Sequence, residues 1–120
     1  MSAEEIQKQM NDLYYWDARV LQFNCNCFAD EIELLYQDED FDVVYRFIGC
    51  YKFVFDHDKG YNKDFPVKEM SIPQIPYFLQ SVEVGEATEE DTSFFTCKIN
   101  MFPLDVEIWC KDIKIAKQPR

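Results

Sequence analysis

Glycine and histidine are scarce in this 120-residue sequence, with three glycines and a single histidine. A Gly-rich loop that cradles phosphates, a GxSxG nucleophile turn and an HExxH zinc motif are all missing. The common signatures of phosphate transfer, serine hydrolysis and zinc-dependent proteolysis are therefore absent. We predict a protein that is not an enzyme and that uses neither a cofactor nor a metal ion.

Basic residues are also few, since 12 Lys and Arg face 23 Asp and Glu, giving a formal charge of −11. Proteins that bind nucleic acid do so through a basic surface, and anionic membranes require the same. We therefore predict that neither is a partner. A basic protein partner fits the charge, and so does the simple need for solubility.

Long apolar runs are missing as well, because no stretch approaches the roughly 20 residues of a membrane-spanning helix. The opening MSAEEIQKQM has neither the basic start nor the apolar segment of a secretory signal. Five cysteines, an odd number, fit a reducing compartment in which thiols stay free. The expected location is the cytoplasm.

Aromatic residues, in contrast, are abundant, with eleven Phe, seven Tyr and two Trp. They favour a folded, β-rich chain over a disordered one. The length predicts one domain, 1–120, with a single core. Residues 3–15 have helical spacing, and Ser2 with Glu5 three residues later matches a capping box. We predict an N-terminal helix there.

From Arg19 onward the apolar period changes to two, which indicates strands. Residues 21–27 and 32–36 predict a hairpin that turns at Ala29-Asp30. The longest apolar stretch, 41–56, is rich in β-branched and aromatic residues. Gly49 near its middle predicts a bulge or a bend.

The second half of the chain has weaker patterns. Residues 57–76 predict a loop, with a short helical turn around 66–80 as an option. A brief strand is expected at 81–87, and 92–102 with 105–117 predict a hairpin about Pro103-Leu104. The fold class is therefore α+β, mainly an antiparallel sheet of five to six strands with an N-terminal helix, and both a sandwich and a half-barrel remain open.

The sequence Cys25-Asn-Cys27 raises the question of a metal or redox site. Both cysteines share a predicted strand face with Leu21 and Phe23, which predicts that the thiols point into the core. A structural zinc site normally combines a C-x(2–4)-C pair with a second pair, whereas the other three cysteines stand alone in separate predicted strands. Because free cysteine behaves as a small buried hydrophobe, we predict that this segment is core.

His57 lies between Asp56 and Asp58. A general base and a solvated turn residue are both open interpretations, and we favour the second. The spacing Asp56-x-Asp58-x-Gly60 is similar to the start of a calcium loop. However, Val67 rather than Glu occupies the twelfth position, so the EF-hand pattern fails.

The excess acid is concentrated in two predicted loops. QDEDFD at 37–42 contains four acids and EVGEATEED at 83–91 contains five, both without a base, and the remaining residues carry 14 acids against 12 bases. If both loops lie at one end of the sheet, they form a negative pole that speeds association with a basic partner and is screened by salt. The alternative is that acidic turns keep an aromatic-rich sheet soluble and block edge pairing.

The segment YYWDARVLQFNC, followed at once by FADEIELLYQ, resembles the opening of some bacterial immunity proteins of polymorphic-toxin and contact-dependent growth inhibition systems. Those families often begin with a helix and an aromatic residue or His, then Asp-Ala, then a strand hairpin. Trp16, Asp17 and Ala18 match this pattern, with Trp where His is common. The resemblance covers residues 10–37 by motif and the rest by β-rich architecture.

This resemblance implies a stoichiometric inhibitor that binds a cognate toxin domain, in many systems a nuclease, and covers its basic active-site or substrate surface with acidic loops. The electrostatic contacts expected from it are Asp38, Glu39, Asp40, Asp42, Glu86, Glu89, Glu90 and Asp91. The expected aromatic anchors beside them are Tyr36, Phe41 and Phe94, since buried aromatics tend to dominate interface energy, although as core strand residues they would be equally ordinary.

Two other functions are compatible with the sequence. A small acidic secretion or assembly chaperone, or an adaptor, would need a dimer and an exposed apolar groove. A small enzyme using His57 with Asp56 or Asp58 would need those residues in a pocket with perturbed pKa values.

Overall fold

The computed structural model describes residues 1–58 and 66–119. The helix and the eight strands within them are α1 (Ala3–Asp12), β1 (Val20–Asn26), β2 (Glu31–Gln37), β3 (Phe41–Ile48), β4 (Lys52–His57), β5 (Ser81–Glu89), β6 (Thr92–Met101), β7 (Leu104–Cys110) and β8 (Asp112–Pro119). Two short 3₁₀ turns, Val67–Glu69 and Ile72–Gln74, lie where the sequence predicts a helical turn. The predicted loop at 57–76 lies partly outside the described residues, and the calcium-loop position Gly60 lies wholly outside them.

The strands form two antiparallel four-stranded sheets. Sheet I has the order β1-β2-β3-β8 and sheet II the order β4-β7-β6-β5. Both sheets contribute side chains to one hydrophobic core, and both remain open instead of closing into a barrel. The predicted α+β class with an N-terminal helix is confirmed, and of the two predicted architectures the chain adopts the sandwich.

The sandwich has eight strands, more than the five or six predicted, because two apolar stretches are each divided by a corner. The stretch 41–56 bends at Gly49, where φ is +66°, a value that glycine adopts without a Cβ clash. The stretch 105–117 bends at Lys111, whose N–H donates to the carbonyl of Ile48 at 3.0 Å. At each corner the chain leaves one sheet and enters the other, so each stretch supplies a strand to both sheets.

The helix begins where the sequence predicts. The Ser2 hydroxyl accepts a hydrogen bond from the N–H of Glu5 at 3.2 Å, and the Glu5 carboxylate accepts one from the N–H of Ser2 at 3.4 Å. The helix ends at Asp12, earlier than the predicted residue 15. Tyr14 has a φ of +50°, which no right-handed helix accommodates, and this turn directs the chain towards the sheets.

Helix α1 covers the outer edge of β5. The Gln7 side chain donates to the carbonyl of Val82 at 2.9 Å and accepts from the N–H of Val84 at 2.7 Å. At the start of the helix, the N–H of Ala3 donates to the Glu86 carboxylate at 2.8 Å. Unpaired backbone groups on an edge strand invite pairing with another chain, so these contacts protect β5 from such pairing.

The acidic segment 83–91 is mostly a strand: the strand predicted at 81–87 is confirmed and extends to Glu89, whereas the interpretation of 83–91 as a loop is wrong. Residues 83–89 belong to β5 and pair with β6, which leaves Glu90 and Asp91 as a two-residue turn. Their φ values of +50° and +63° suit a type I′ hairpin turn. Such turns favour Asn-Gly or Asp-Gly, so Glu-Asp carries no hairpin signal in the sequence.

The prediction that Cys25 and Cys27 lie in the core is also wrong, because both are exposed. β1 is an edge strand whose burial declines from Val20 towards the β1–β2 turn. Alternation shows which side of a sheet a residue faces, but not whether another layer covers that side. Sheet II covers β1 as far as Phe23, which stacks on Phe53 of β4 with ring centroids 5.9 Å apart.

Thiol labelling will distinguish these cysteines. We expect Cys25 and Cys27 to react faster than the buried cysteines because both are exposed, and Cys27 to react first because partial burial raises the pKa of the Cys25 thiol. Cys97 and Cys110 should remain protected, since both are buried and a smaller fraction of each thiol is ionised to the reactive thiolate. Burial raises the pKa of Cys97, and a hydrogen bond with Cys50, aided by burial, raises the pKa of Cys110.

The measurement is a colorimetric thiol count with an aromatic disulfide reagent, before and after unfolding in urea. The Cys25→Ser/Cys27→Ser variant serves as the control and should lose the fast phase. Rapid reaction of Cys97 and Cys110 in the native protein would contradict the packing described here.

Two tyrosines occupy the middle of the core. Tyr36 and Tyr45 are fully buried, and their rings meet edge to face with centroids 5.5 Å apart. Burial raises the pKa of Tyr36 from 10.0 to about 12 and raises that of Tyr45 as well. Both hydroxyls therefore ionise less readily in the folded protein than in the unfolded chain.

We expect the free energy of unfolding to decrease above about pH 10. There the unfolded chain has lost tyrosine protons that the folded protein still holds, so each such tyrosine lowers the stability by up to about 1.4 kcal/mol per pH unit. Below that pH the tyrosines are protonated in both states and contribute no slope. Urea unfolding across this range tests the effect: Tyr36→Phe should flatten the slope, whereas Tyr14→Phe, at an exposed site, should not.

Candidate functional site

The first acidic segment forms the tight turn between β2 and β3. The N–H of Asp38 donates to the carbonyl of Phe41 at 3.0 Å, and the Asp38 carboxylate accepts from the N–H of Glu39 at 2.8 Å. Asp40 completes the turn and Asp42 follows on β3. The predicted contacts Asp38, Glu39, Asp40 and Asp42 are thus close together, at one end of sheet I.

The second acidic segment lies at the other end of the sandwich. At one end of β3, Phe41 pairs with Pro119, and at its other end Ile48 pairs with Asp112, directly after Lys111. The β5–β6 turn with Glu90 and Asp91 belongs to this second end, because β6 pairs Phe95 with Cys110 just beyond that turn. The eight residues of β3 span about 25 Å. The structure therefore forms two acidic ends and not a single negative pole.

A surface cleft of about 590 Å³ opens next to the first acidic turn. It combines aromatic side chains with carboxylates, and we call it the Trp16 cleft. Its principal walls are Tyr14, Trp16, Asp17, Asp38, Glu39 and Phe78.

The indole of Trp16 packs against the rings of the two tyrosines that precede it in the chain. It stacks on the buried ring of Tyr15 with centroids 4.2 Å apart and planes 21° apart, and Tyr14 lies beside it at 5.3 Å. The Tyr15 hydroxyl hydrogen-bonds the backbone of Val82 on β5. Trp16 remains 38% exposed and Tyr14 71% exposed. The cleft therefore offers aromatic surface that is both accessible and fixed.

The backbone around Trp16 is anchored to the segment 77–79. The N–H of Asp17 donates to the carbonyl of Leu79 and the N–H of Leu79 donates to that of Ala18, both at 2.8 Å. Asp17 has a φ of +62°, in the left-handed region, and it lines the cleft. These bonds place the Asp-Ala pair between the helix and the first hairpin.

One cation already occupies part of the cleft. The guanidinium carbon of Arg19 lies 4.9 Å from the centroid of the Phe78 ring, a distance typical of a cation–π contact. The described residues that line the cleft also include the carboxylates of Asp17, Asp38 and Glu39. The lining thus combines acidic side chains with a guanidinium that lies against an aromatic ring.

A family profile described as "Immunity protein PIM7" matches residues 2–117, almost the entire chain. This chain belongs to the PIM7 family of immunity proteins. The resemblance carried by Trp16, Asp17 and Ala18 is thereby confirmed at the level of an immunity protein. A search of curated proteins found no match.

Membership defines what the protein does in general terms. An immunity protein binds a cognate toxin protein and neutralises it. Trp16, Asp17 and Ala18, the residues on which the resemblance to immunity proteins rests, all line the Trp16 cleft. This location makes the cleft our candidate site.

The predicted aromatic anchors are less accessible than the residues of the cleft. Tyr36 is fully buried, and Phe94 is nearly so beneath Tyr51 and Trp109, with centroids 5.0 Å from each. Phe41 is half-buried, with the Lys117 ammonium 4.5 Å from its centroid. The role of these three as anchors remains a prediction, and in the unbound protein Phe41 offers the most accessible surface.

Several exposed aromatics were not predicted as contacts. Tyr14 and Trp16 line the cleft, Phe28 at the tip of the β1–β2 turn is 108% exposed, and Tyr51 lies near the second acidic end. Trp16 carries a usable signal, because it belongs to the family-like motif. Nothing in the sequence distinguishes Phe28 from the core phenylalanines.

The histidine that the sequence offered as a general base lies outside the Trp16 cleft. His57 is half-buried, with its Nε2 2.9 Å from the Tyr77 hydroxyl and its Nδ1 3.1 Å from the carbonyl of Asp58. Within residues 1–58 and 66–119, no three His, Cys, Asp or Glu side chains are grouped as metal ligands. No helix in those ranges is long and apolar enough to cross a bilayer.

Proposed function

We propose that this immunity protein neutralises its toxin by covering a basic substrate-binding surface, and that the toxin is a nuclease of a polymorphic-toxin or contact-dependent growth inhibition system. The complex forms in the cytoplasm, where such a toxin would meet its nucleic-acid substrate. The observation that carries this proposal is the Trp16 cleft, in which exposed aromatic rings lie together with the carboxylates of Asp17, Asp38 and Glu39.

The charge distribution supports a partner of this kind. A nuclease binds phosphates through basic residues, and the carboxylates of the β2–β3 turn supply negative charge at comparable density on a protein surface. With a formal charge of −11, the immunity protein also attracts a basic partner before contact. Association is therefore expected to be fast at low salt and slower as salt screens the charges.

The first experiment is co-purification with the C-terminal domain of the protein encoded immediately upstream. We expect a tight 1:1 complex that weakens with salt and whose partner is toxic when expressed alone. Failure to form a complex, together with a harmless upstream product, would contradict the proposal. A stable dimer of the isolated chain in light scattering would instead favour the chaperone or adaptor function.

The two acidic ends allow a charge-matched test of the contacts. Asp38→Lys/Glu39→Lys/Asp40→Lys and Glu89→Lys/Glu90→Lys/Asp91→Lys each convert three acids into three bases, and the two sets lie at opposite ends of the sandwich. We expect the first variant to slow association at low salt by at least about tenfold and to flatten its salt dependence. The second should have a much smaller effect.

Stopped-flow association rates at several salt concentrations measure both quantities, and thermal unfolding verifies that each variant folds. The opposite ranking would locate the interface at the β5–β6 end and assign it to the other predicted contacts. Unchanged rates and salt slopes in both variants would exclude binding through either acidic end.

A further inference from the structure

We propose that the Trp16 cleft is a receptor for an arginine side chain of the toxin, whose guanidinium stacks on the exposed face of Trp16 while the carboxylates of the β2–β3 turn pair with it. This inference rests on the proposed function, because it assigns the chemistry of one contact within the same interface. It adds the identity of the partner group and the residue that binds it most tightly.

The first reason is that Trp16 is already ordered for stacking. One face of the indole is covered by Tyr15 at 4.2 Å, the tilted ring of Tyr14 lies 5.3 Å away, and the part of the indole that remains 38% exposed is the surface offered to a ligand. Tyr15 is itself buried and hydrogen-bonded to β5, so its support does not depend on a partner. A preorganised aromatic face loses little conformational freedom on binding, and tryptophan is the strongest cation–π acceptor among the side chains.

The second reason is the charge around this face. Asp38 and Glu39 line the same cleft as Trp16, and Asp17 follows it directly in the chain. A cation bound on the indole would therefore have carboxylates within the same cleft. Aromatic surface alone would suit an apolar group, and carboxylates alone would suit any cation, but the combination selects a cation with a flat face.

The third reason is a matching contact within the protein. Arg19 places its guanidinium over Phe78 at 4.9 Å inside this cleft. This intramolecular pair uses the ring of Phe78, whereas Trp16 is a second ring in the same cleft and is partly exposed. Arginine fits the exposed aromatic surface better than lysine, because a planar guanidinium stacks and forms paired hydrogen bonds to a carboxylate, whereas an ammonium is a strongly hydrated point charge.

A short peptide provides a test that does not require the toxin. We would titrate the ¹⁵N-labelled protein with acetyl-tetra-arginine amide at low salt and use acetyl-tetra-lysine amide as the charge-matched control. We expect the largest NMR shifts at the Trp16 indole N–H and at the amides of Asp17, Asp38 and Glu39, and larger shifts with the arginine peptide. Equal shifts from both peptides, or shifts spread evenly to residues 89–91, would overturn the inference.

The toxin complex provides the second test. Trp16→Leu should weaken affinity about tenfold without changing the salt dependence, since it removes no charge. Phe28→Leu, which removes an exposed aromatic remote from the cleft, is the matched control and should bind like the wild type. In a Trp109→Phe background, fluorinated tryptophan at position 16 should weaken binding further with each fluorine, a trend that a purely structural role for Trp16 would not produce.

The outcomes separate the two proposals. If the wild-type protein forms no complex with the toxin domain, the proposed function fails, while the peptide titration still decides the chemistry of the cleft. If the wild-type complex forms and Trp16→Leu binds equally well, the arginine receptor is wrong and the proposed function stands. Thermal unfolding of Trp16→Leu distinguishes a lost contact from a lost fold.

Discussion

The hydroxyl of Tyr15 is the group that ties the candidate site to the sandwich. It donates to the carbonyl of Val82 at 3.3 Å and accepts from the N–H of the same residue at 3.2 Å. The segment that follows the helix is thereby fixed to the edge of β5, and the Tyr15 ring becomes the support for Trp16. A buried hydroxyl without such partners would be costly, so this position is closely determined. The aromatic wall of the cleft is therefore attached to the sheet through Tyr15.

Two residues close to this support, one before it and one after it, have a strained backbone. Tyr14 and Asp17 both have positive φ, at a cost of about 1–2 kcal/mol each for residues that carry a Cβ. Such conformations persist where neighbouring contacts determine them, and here the N–H of Asp17 donates to Leu79 while that of Ala18 donates to Tyr15. The result is a chain that leaves the helix, exposes one indole and one carboxylate, and then enters a regular strand.

Much of the fold follows from local patterns in the sequence. The capping box at Ser2, the first hairpin and the hairpin about Pro103 could all be predicted, because capping and alternation are local properties. The number of strands and the exposure of Cys25 could not, since they depend on where the second sheet begins and ends. Periodicity locates a side of a sheet, and only the tertiary arrangement determines whether that side is covered.

The candidate site was predictable to a similar degree. The acidic β2–β3 turn and the motif at Trp16 could be identified separately in the sequence, but their meeting in one cleft could not. The two parts come together through the backbone of Arg19. Its carbonyl accepts a hydrogen bond from the N–H of Gln37 at 2.9 Å, and Arg19 also forms an antiparallel bridge with Phe78. A long-range bridge of this kind leaves no periodic signal in the sequence.

The separation of the acid into two ends has a consequence for recognition. At physiological ionic strength the screening length is about 8 Å, far shorter than the roughly 25 Å between the ends of β3. A basic patch docked at Asp38 and Glu39 therefore gains little attraction from Glu90 and Asp91. Net charge accelerates encounter, but the discrimination between one basic surface and another has to come from short-range contacts. Two of the exposed aromatic rings that can make such contacts, Tyr14 and Trp16, lie in the Trp16 cleft, directly beside the acidic turn.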